Sequence, residues 1–331
     1  MLDVLHDSWK SQAIHAFAQL HLADALLAGP KNSVTLASEV GCDEEALHRL
    51  LRAACTLGLV AQEPDGTFRL TEEGALLAED SPDSIRNWAL WWGNALWPVW
   101  GNLAYSVRTG ESARKMLMGT AGFAHIEHDP EGAHIFNRGL AEITRIAAKS
   151  IVQAFDFSEF RTIMDLGGGY GQLLATILEA CPESNGILVD LPHSIAGAEA
   201  HLASCGLETR SRCVAGDFFD KLPAKADAVI LKSVIHDWND ADASKILQVC
   251  HRDMPPEAKL ILIERVMLAM LETSREHQTL ARMDLAMLVT HAAKERTEQD
   301  LRRLATDAGF LCSSLTSTDS GFSILVAEPQ K

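Results

Sequence analysis

The chain has 331 residues, 47% of them apolar and 22% charged, so it is longer than one core usually organises and lies outside the fibrous and disordered classes. Forty-five acidic against 29 basic residues give a formal charge of -16, a field that repels phosphate backbones and anionic membrane surfaces, and no local basic patch offsets it. The seven cysteines are scattered and form no C-x-x-C pair, which argues against a disulfide framework or a metal site and fits a reducing cytoplasm. The first ten residues mix Asp3, His6 and Asp7 with apolar residues, unlike a secretion signal, and the most apolar stretch, Trp88 to Trp100, is too short to cross a bilayer.

Apolar residues recur at helical spacing from Trp9 to Leu27, and Gly29-Pro30 ends the pattern, so one amphipathic helix is expected there. Helices over Thr35 to Val40 and Ala46 to Leu57 follow, with Asp43 as an N-cap, then a short hairpin of Leu59-Val60 and Phe68 to Leu70 around the Pro64-Asp65-Gly66 turn. This is the order of a winged helix. Lys31 to Asp80 carries four Lys or Arg against ten Asp or Glu, so packing or dimerisation is expected of it rather than DNA binding. The five tryptophans of Trp88 to Trp100 strengthen that expectation: in a helix, Trp88 shares a face with Trp91 or Trp92, and Trp97 with Trp100. Helices over Ser112 to Phe123 and Pro130 to Ala154 lead on to a change of pattern.

From Arg161 short apolar runs alternate with helical stretches. Strands are expected at Thr162 to Leu166, Gly186 to Leu191, Arg210 to Ala215, Ala226 to Leu231, Lys259 to Val266, Leu311 to Ser314 and Ser323 to Ala327. The alternation predicts a doubly wound α/β sheet whose last two strands form an antiparallel pair. Two domains are thus expected: 1–100, and 101–331 with a helical lead-in to about 157 and a sheet core from about 161.

The first of these strands runs from Asp165 straight into Gly167-Gly168-Gly169-Tyr170-Gly171 and a helix, a turn whose glycines bring backbone close to a nucleotide-like ligand. Counted from Gly167, the third glycine of a dinucleotide fingerprint falls on Gln172, which weakens an NAD reading. Asp190, at the end of the next strand, is placed to accept both hydroxyls of a ribose, with Leu191 beside it. Asp217, in a turn after the third strand, is suited to an adenine amino group, with Phe218 on the ring face. His236 follows the fourth strand in Leu231-Lys232-Ser233-Val234-Ile235-His236-Asp237-Trp238.

The Asp165 to Gly171 run resembles motif I of class I methyltransferases. With the His236-Asp237-Trp238 segment added, nearly the whole chain resembles the plant caffeate and flavonoid O-methyltransferase family and its bacterial natural-product branch. That resemblance implies a Rossmann-like methyltransferase domain behind a mainly helical winged-helix dimerisation domain, a homodimer, and S-adenosylmethionine as co-substrate. It implies His236 as the general base, supported by Glu264 and by Glu295 of the Lys294-Glu295-Arg296-Thr297 segment. It also implies Lys232 at the cofactor's adenosine end and substrate walls from Phe136, Asn137, Leu140, Trp238, Met283, Met287 and His291. The reaction implied is O-methylation of a phenolic or other acidic hydroxyl on an aromatic small molecule. Methylation of nitrogen or carbon, or a winged-helix regulator that senses the cofactor, are the competing readings. An imidazole starts from a pKa near 6.5; a nearby sulfonium lowers it and the two glutamates raise it, and the sequence does not rank these opposing effects. In one respect the chain departs from the family: Ala292-Ala293 stands where Gly-Gly usually precedes the K/R-E-R-T run.

Overall fold

The structure, a computed structural model, describes residues 1–119, 123 and 129–330. They form two compact units, one of 1–98 with 134–143 and one of 99–133 with 144–331.

The first unit begins with α1 (Leu2–His6), α2 (Ser8–Gln19) and α3 (Leu22–Leu27). The single helix expected over Trp9 to Leu27 is broken here, because His21 takes a left-handed φ of 52° and starts α3 in a new direction. Next come α4 (Ser33–Val40), α5 (Glu44–Thr56), the hairpin β1 (Val60–Gln62) and β2 (Phe68–Leu70), and α6 (Glu72–Ala75). Asn32 and Asp43 cap α4 and α5 through side-chain oxygens that accept N–H groups of the first turn. Phe17, Leu22, Leu36, Leu51 and Phe68 are fully buried at the centre. The tryptophan stretch forms two short helices, α7 (Arg86–Gly93) and α8 (Trp97–Trp100), and Trp88 and Trp92 pair with ring centroids 5.9 Å apart.

Two more helices, α9 (Leu103–Thr109) and α10 (Ala113–Met118), precede the 25-residue α11 (Pro130–Ala154). Of the helix expected over Ser112 to Phe123, residues 120–122 lie outside the described residues. Residues 134–143 of α11, assigned from the sequence to the second domain, group with the first unit. The reason is local: the Glu142 carboxylate accepts the N–H groups of Asn87 and Trp88 at the start of α7, and Phe136 packs on Trp91 at 4.9 Å.

The second unit is built on a seven-stranded sheet of order β5-β4-β3-β6-β7-β9-β8. Its strands are β3 (Thr162–Leu166), β4 (Asn185–Asp190), β5 (Ser211–Ala215), β6 (Ala228–Lys232), β7 (Lys259–Glu264), β8 (Phe310–Ser317) and β9 (Ser323–Pro329). The first five are parallel, and β9 runs antiparallel between β7 and β8. The helices are α12 (Gln172–Ala180), α13 (Pro192–Ser204), α14 (Asp240–Asp253), α15 (Arg275–His291) and α16 (Glu298–Asp307). One apolar cluster joins sheet residues to α14 and α16, and a second joins them to α12, α13 and the end of α11, as a doubly wound sheet requires. From β3 the chain moves to β4 on one side, and later to β6 on the other, so the loops leaving β3 and β6 diverge at the topological switch point. Among the described residues no helix is long and apolar enough to cross a membrane.

Candidate active site

The turn leaving β3 is made by glycines in left-handed conformations, with φ of 77° at Gly167, 57° at Gly169 and 80° at Gly171. A Cβ on Gly167 would sit 2.9 Å from Val234 Cγ2, so only glycine leaves the turn its shape. The Asp190 carboxylate at the end of β4 is held by main chain: one oxygen accepts the Gly169 N–H at 2.7 Å and the other the Leu191 N–H at 2.7 Å. The Ser194 side chain adds a third hydrogen bond, and the carboxylate still has room to accept from a ribose hydroxyl. Asp165 is buried beneath the turn. Its pKa is raised to about 7 by burial and by Asp190, against the pull of Lys232. Asp217 is exposed and accepts the Phe219 N–H, while Phe218 is half-buried and packs with Phe219 and Trp238.

Lys232 ends β6. Its Nζ donates to Thr144 Oγ1 at 3.0 Å and lies 5.0 Å from the centre of the Phe322 ring. Burial lowers its pKa to about 8, although Glu264 and Asp165 both favour its charged form. Lys232 therefore couples electrostatically to the carboxylates of both loops.

After Ser233, with φ of 55°, the chain makes a single 3-10 turn (Ile235–Asp237) that carries His236. Glu264, the last residue of β7, holds this turn: its Oε1 accepts the N–H groups of Val234 and Ile235 at 3.1 and 2.9 Å. Its other oxygen lies 3.6 Å from His236 Nδ1, and Glu295 Oε1 lies 3.0 Å from the same nitrogen. Nε2, on the opposite edge of the ring, is 3.6 Å from Asp237 Oδ1, which is in turn 3.5 Å from His291 Nε2. His236, Glu264 and Glu295 are all buried.

Burial alone would lower the ring's pKa, but Glu295, Glu264 and Asp237 outweigh it and push it up to about 10. Burial raises Glu264 to about 7 and Asp237 to about 6, in each case against the attraction of His236. In the ligand-free protein the surrounding carboxylates thus favour the doubly protonated ring.

The remaining residues singled out from the sequence are dispersed. Phe136, Asn137 and Leu140 lie in the α11 segment that groups with the first unit, Asn137 buried and Leu140 exposed. Met287 is buried with Ala286, Ala293 and Trp100, and Met283 is half-buried on the same helix. His291, at the end of α15, meets Asp237 and the Phe123 ring. The Trp238 ring packs edge-on against Phe219, with centroids 4.7 Å apart. Three residues that the sequence did not mark as part of the site also surround His236: Asp237, the buried Arg114 whose charge acts on Asp237, and the buried Arg296. Asp237 and Arg296 each had a signal, their places beside His236 in His236-Asp237-Trp238 and beside Glu295 in Lys294-Glu295-Arg296-Thr297, whereas Arg114 had none.

The O-methyltransferase domain model matches residues 100–311, and the O-methyltransferase dimerisation domain matches residues 2–80. The phenazine O-methyltransferase PhzM of Lysobacter antibioticus is 36% identical over 329 residues, covering 99% of this chain and 95% of that protein. The crystal structure of LaPhzM superposes with a TM-score of 0.95 at 36% identity, covering 99% of this chain and 98% of the other. NcsB1, an O-methyltransferase from neocarzinostatin biosynthesis, was solved with S-adenosylmethionine and 2-hydroxy-5-methyl naphthoic acid. It superposes with a TM-score of 0.83 at 29% identity, covering 99% of this chain and 98% of the other.

Proposed function

This chain belongs to the O-methyltransferase family, and we propose that it methylates a phenolic hydroxyl of an aromatic small molecule, with His236 as the proton acceptor. The observation that carries this reading is the buried imidazole whose Nδ1 faces Glu295 at 3.0 Å and Glu264 at 3.6 Å. Glu295 keeps a proton on Nδ1, which leaves Nε2 as the nitrogen that receives the proton of the hydroxyl. An unperturbed imidazole is a weak acceptor for a phenol, whose own pKa is near 10. Surrounded by carboxylates, this ring is a stronger acceptor than a free imidazole, which brings transfer from a phenol nearer to balance.

The glycine turn and Asp190 fit the co-substrate of the family, S-adenosylmethionine: the turn leaves room for a close approach, and the Asp190 carboxylate at the strand end is an acceptor for a ribose hydroxyl. When bound, that group supplies an activated methyl on a positively charged sulfur, and its charge opposes an imidazolium. The protein's own part is alignment and deprotonation. Orientation supplies effective molarities of roughly 10⁵ to 10⁸ M, whereas a positioned base adds about 10² to 10⁴ in rate, so alignment contributes more.

A panel of phenols, matched anilines and unsubstituted arenes, incubated with S-adenosylmethionine and followed by mass spectrometry and product NMR, tests the reaction class. Methyl ethers, formed one for one with S-adenosylhomocysteine, are the expected products. Methylation confined to the amines, or to ring carbon, would overturn the assignment. The protein acts as a homodimer in this reading, supported by the dimerisation-domain match and by α1, whose Leu2, Val4 and Leu5 are exposed. A monomeric mass by light scattering at micromolar concentration contradicts it.

A further inference from the structure

Arg296 is the largest of the fully buried side chains, and its guanidinium is spent on main chain. Nη1 donates to the Ile235 carbonyl at 2.6 Å, and Nη2 to the Trp238 carbonyl at 2.7 Å. These two carbonyls bracket His236 and Asp237. The outer edge of the group is held by Asp240 Oδ1, which accepts from Nε at 3.1 Å and Nη2 at 2.9 Å. The turn's N–H groups go to Glu264 and its carbonyls to Arg296, so two buried groups of opposite charge grip it from its two polarities. Arg296 also follows Glu295 directly, and its own carbonyl accepts the Met267 N–H at 2.8 Å. One residue thus ties together the turn that carries His236, the chain just beyond Glu264, and the segment that carries Glu295.

We propose that Arg296 is a positioning residue for methyl transfer: it fixes the His236 turn against Glu295, and so sets where the acceptor nitrogen stands. The proposal rests on the reading of His236 as proton acceptor. A planar, five-donor fork is needed to reach two carbonyls and a carboxylate at once; an ammonium at the same place keeps the charge but not the span. Displacing a reacting group by about 1 Å costs on the order of 10²-fold in rate, so a loosened turn is read directly in catalysis.

The test uses the full chain in single-turnover reactions at saturating S-adenosylmethionine across pH, on a phenol that the wild type converts. S-adenosylhomocysteine affinity is measured by calorimetry alongside. The variants are Arg296→Lys, Asp240→Asn, His236→Ala, and each of the first two combined with His236→Ala. Arg296→Lys is expected to lower the plateau rate by about 10- to 100-fold and to move the acid limb to lower pH, as the ring draws away from Glu295. Its affinity for S-adenosylhomocysteine is expected to stay within about twofold of wild type. Asp240→Asn changes rate and limb in the same direction by less, and decides the matter if Arg296→Lys does not fold, because Asp240 is only half-buried. In the His236→Ala background neither change alters the rate by more than about twofold. Wild-type rate and limb in Asp240→Asn and Arg296→Lys overturn the proposal, as does the same fold loss with and without His236. A His236→Ala protein with wild-type rate and limb removes the underlying reading and the proposal with it, a result distinct from the other two.

Discussion

At the end of β4, Asp190 is held mainly by backbone: each of its oxygens takes one main-chain N–H, Ser194 adds a side-chain hydrogen bond, and the turn that supplies the first N–H bends at glycines. Beyond β6, His236 is held by side chains: three carboxylates face one imidazole, and an oxygen of Glu264 and another of Glu295 accept no hydrogen bond among the described residues. The first arrangement presents lone pairs of fixed direction, which suits the binding of hydroxyls. In the second, negative charge is concentrated around a base, which suits the holding and passing of a proton. Both lie beyond the carboxyl ends of parallel strands in one sheet, so the difference comes from what each loop carries rather than from the fold.

If the two regions are separable in this way, each can be broken without the other. The largest effect on binding is expected from Asp190→Ala, which removes a charged acceptor and weakens S-adenosylhomocysteine binding by about 1.5 to 3 kcal/mol in calorimetry. At saturating co-substrate the pH profile of this variant keeps the wild-type acid limb. Unchanged affinity, or a displaced limb, would contradict the division.

Glu295→Gln probes the other side. It removes a negative charge 3.0 Å from Nδ1, and since that charge stabilises the imidazolium, the ring's pKa falls. The acid limb therefore moves to lower pH, by about 1 to 3 units, while the plateau rate drops about tenfold and S-adenosylhomocysteine affinity is kept. A limb that stays in place or moves to higher pH would show that Glu295 does not set the ring's charge.

The smallest expected effect sharpens the comparison on its backbone side. Ala292 ends α15 in a left-handed conformation, with φ of 55° and ψ of 37°. An alanine pays for that conformation, so Ala292→Gly should raise stability by roughly 1 kcal/mol in a denaturation midpoint while leaving the pH profile unchanged. A loss of stability would mean that the alanine methyl contributes packing worth more than the strain.

Much of the fold was legible because the sheet's signals are local. β3 has the ends read from its apolar run, α12 begins directly after the glycine turn as read, and the antiparallel β8–β9 pair follows from two runs too close for a crossover helix. The break at His21 was not legible: the helical apolar spacing continues across it, and neither glycine nor proline marks the place. Nor was α9, a short helix in a stretch of weak periodicity. In the candidate site, His236, Glu264 and Glu295 could be singled out because each stands in a short recognisable segment, and the structure brings the three together. The parts played by Arg114 and Arg296 depend on which segments meet, and no spacing records that. The direction of the His236 shift was hidden for the same reason, since it is the sum of one burial and three charges, two of which, Glu264 and Glu295, lie far from it in the chain.

The most direct test of the proton-acceptor assignment is the single-turnover rate against pH, at saturating S-adenosylmethionine, for the wild type and His236→Ala on a phenol whose own pKa lies above the tested range. Only the neutral ring accepts a proton, so the wild-type rate is expected to rise about tenfold per pH unit up to the ring's pKa in the complex. His236→Ala should be slower by about 10² to 10⁴ on the plateau, with no acid limb and with S-adenosylhomocysteine still bound. A His236→Ala protein that keeps both the wild-type rate and the wild-type limb would contradict the assignment.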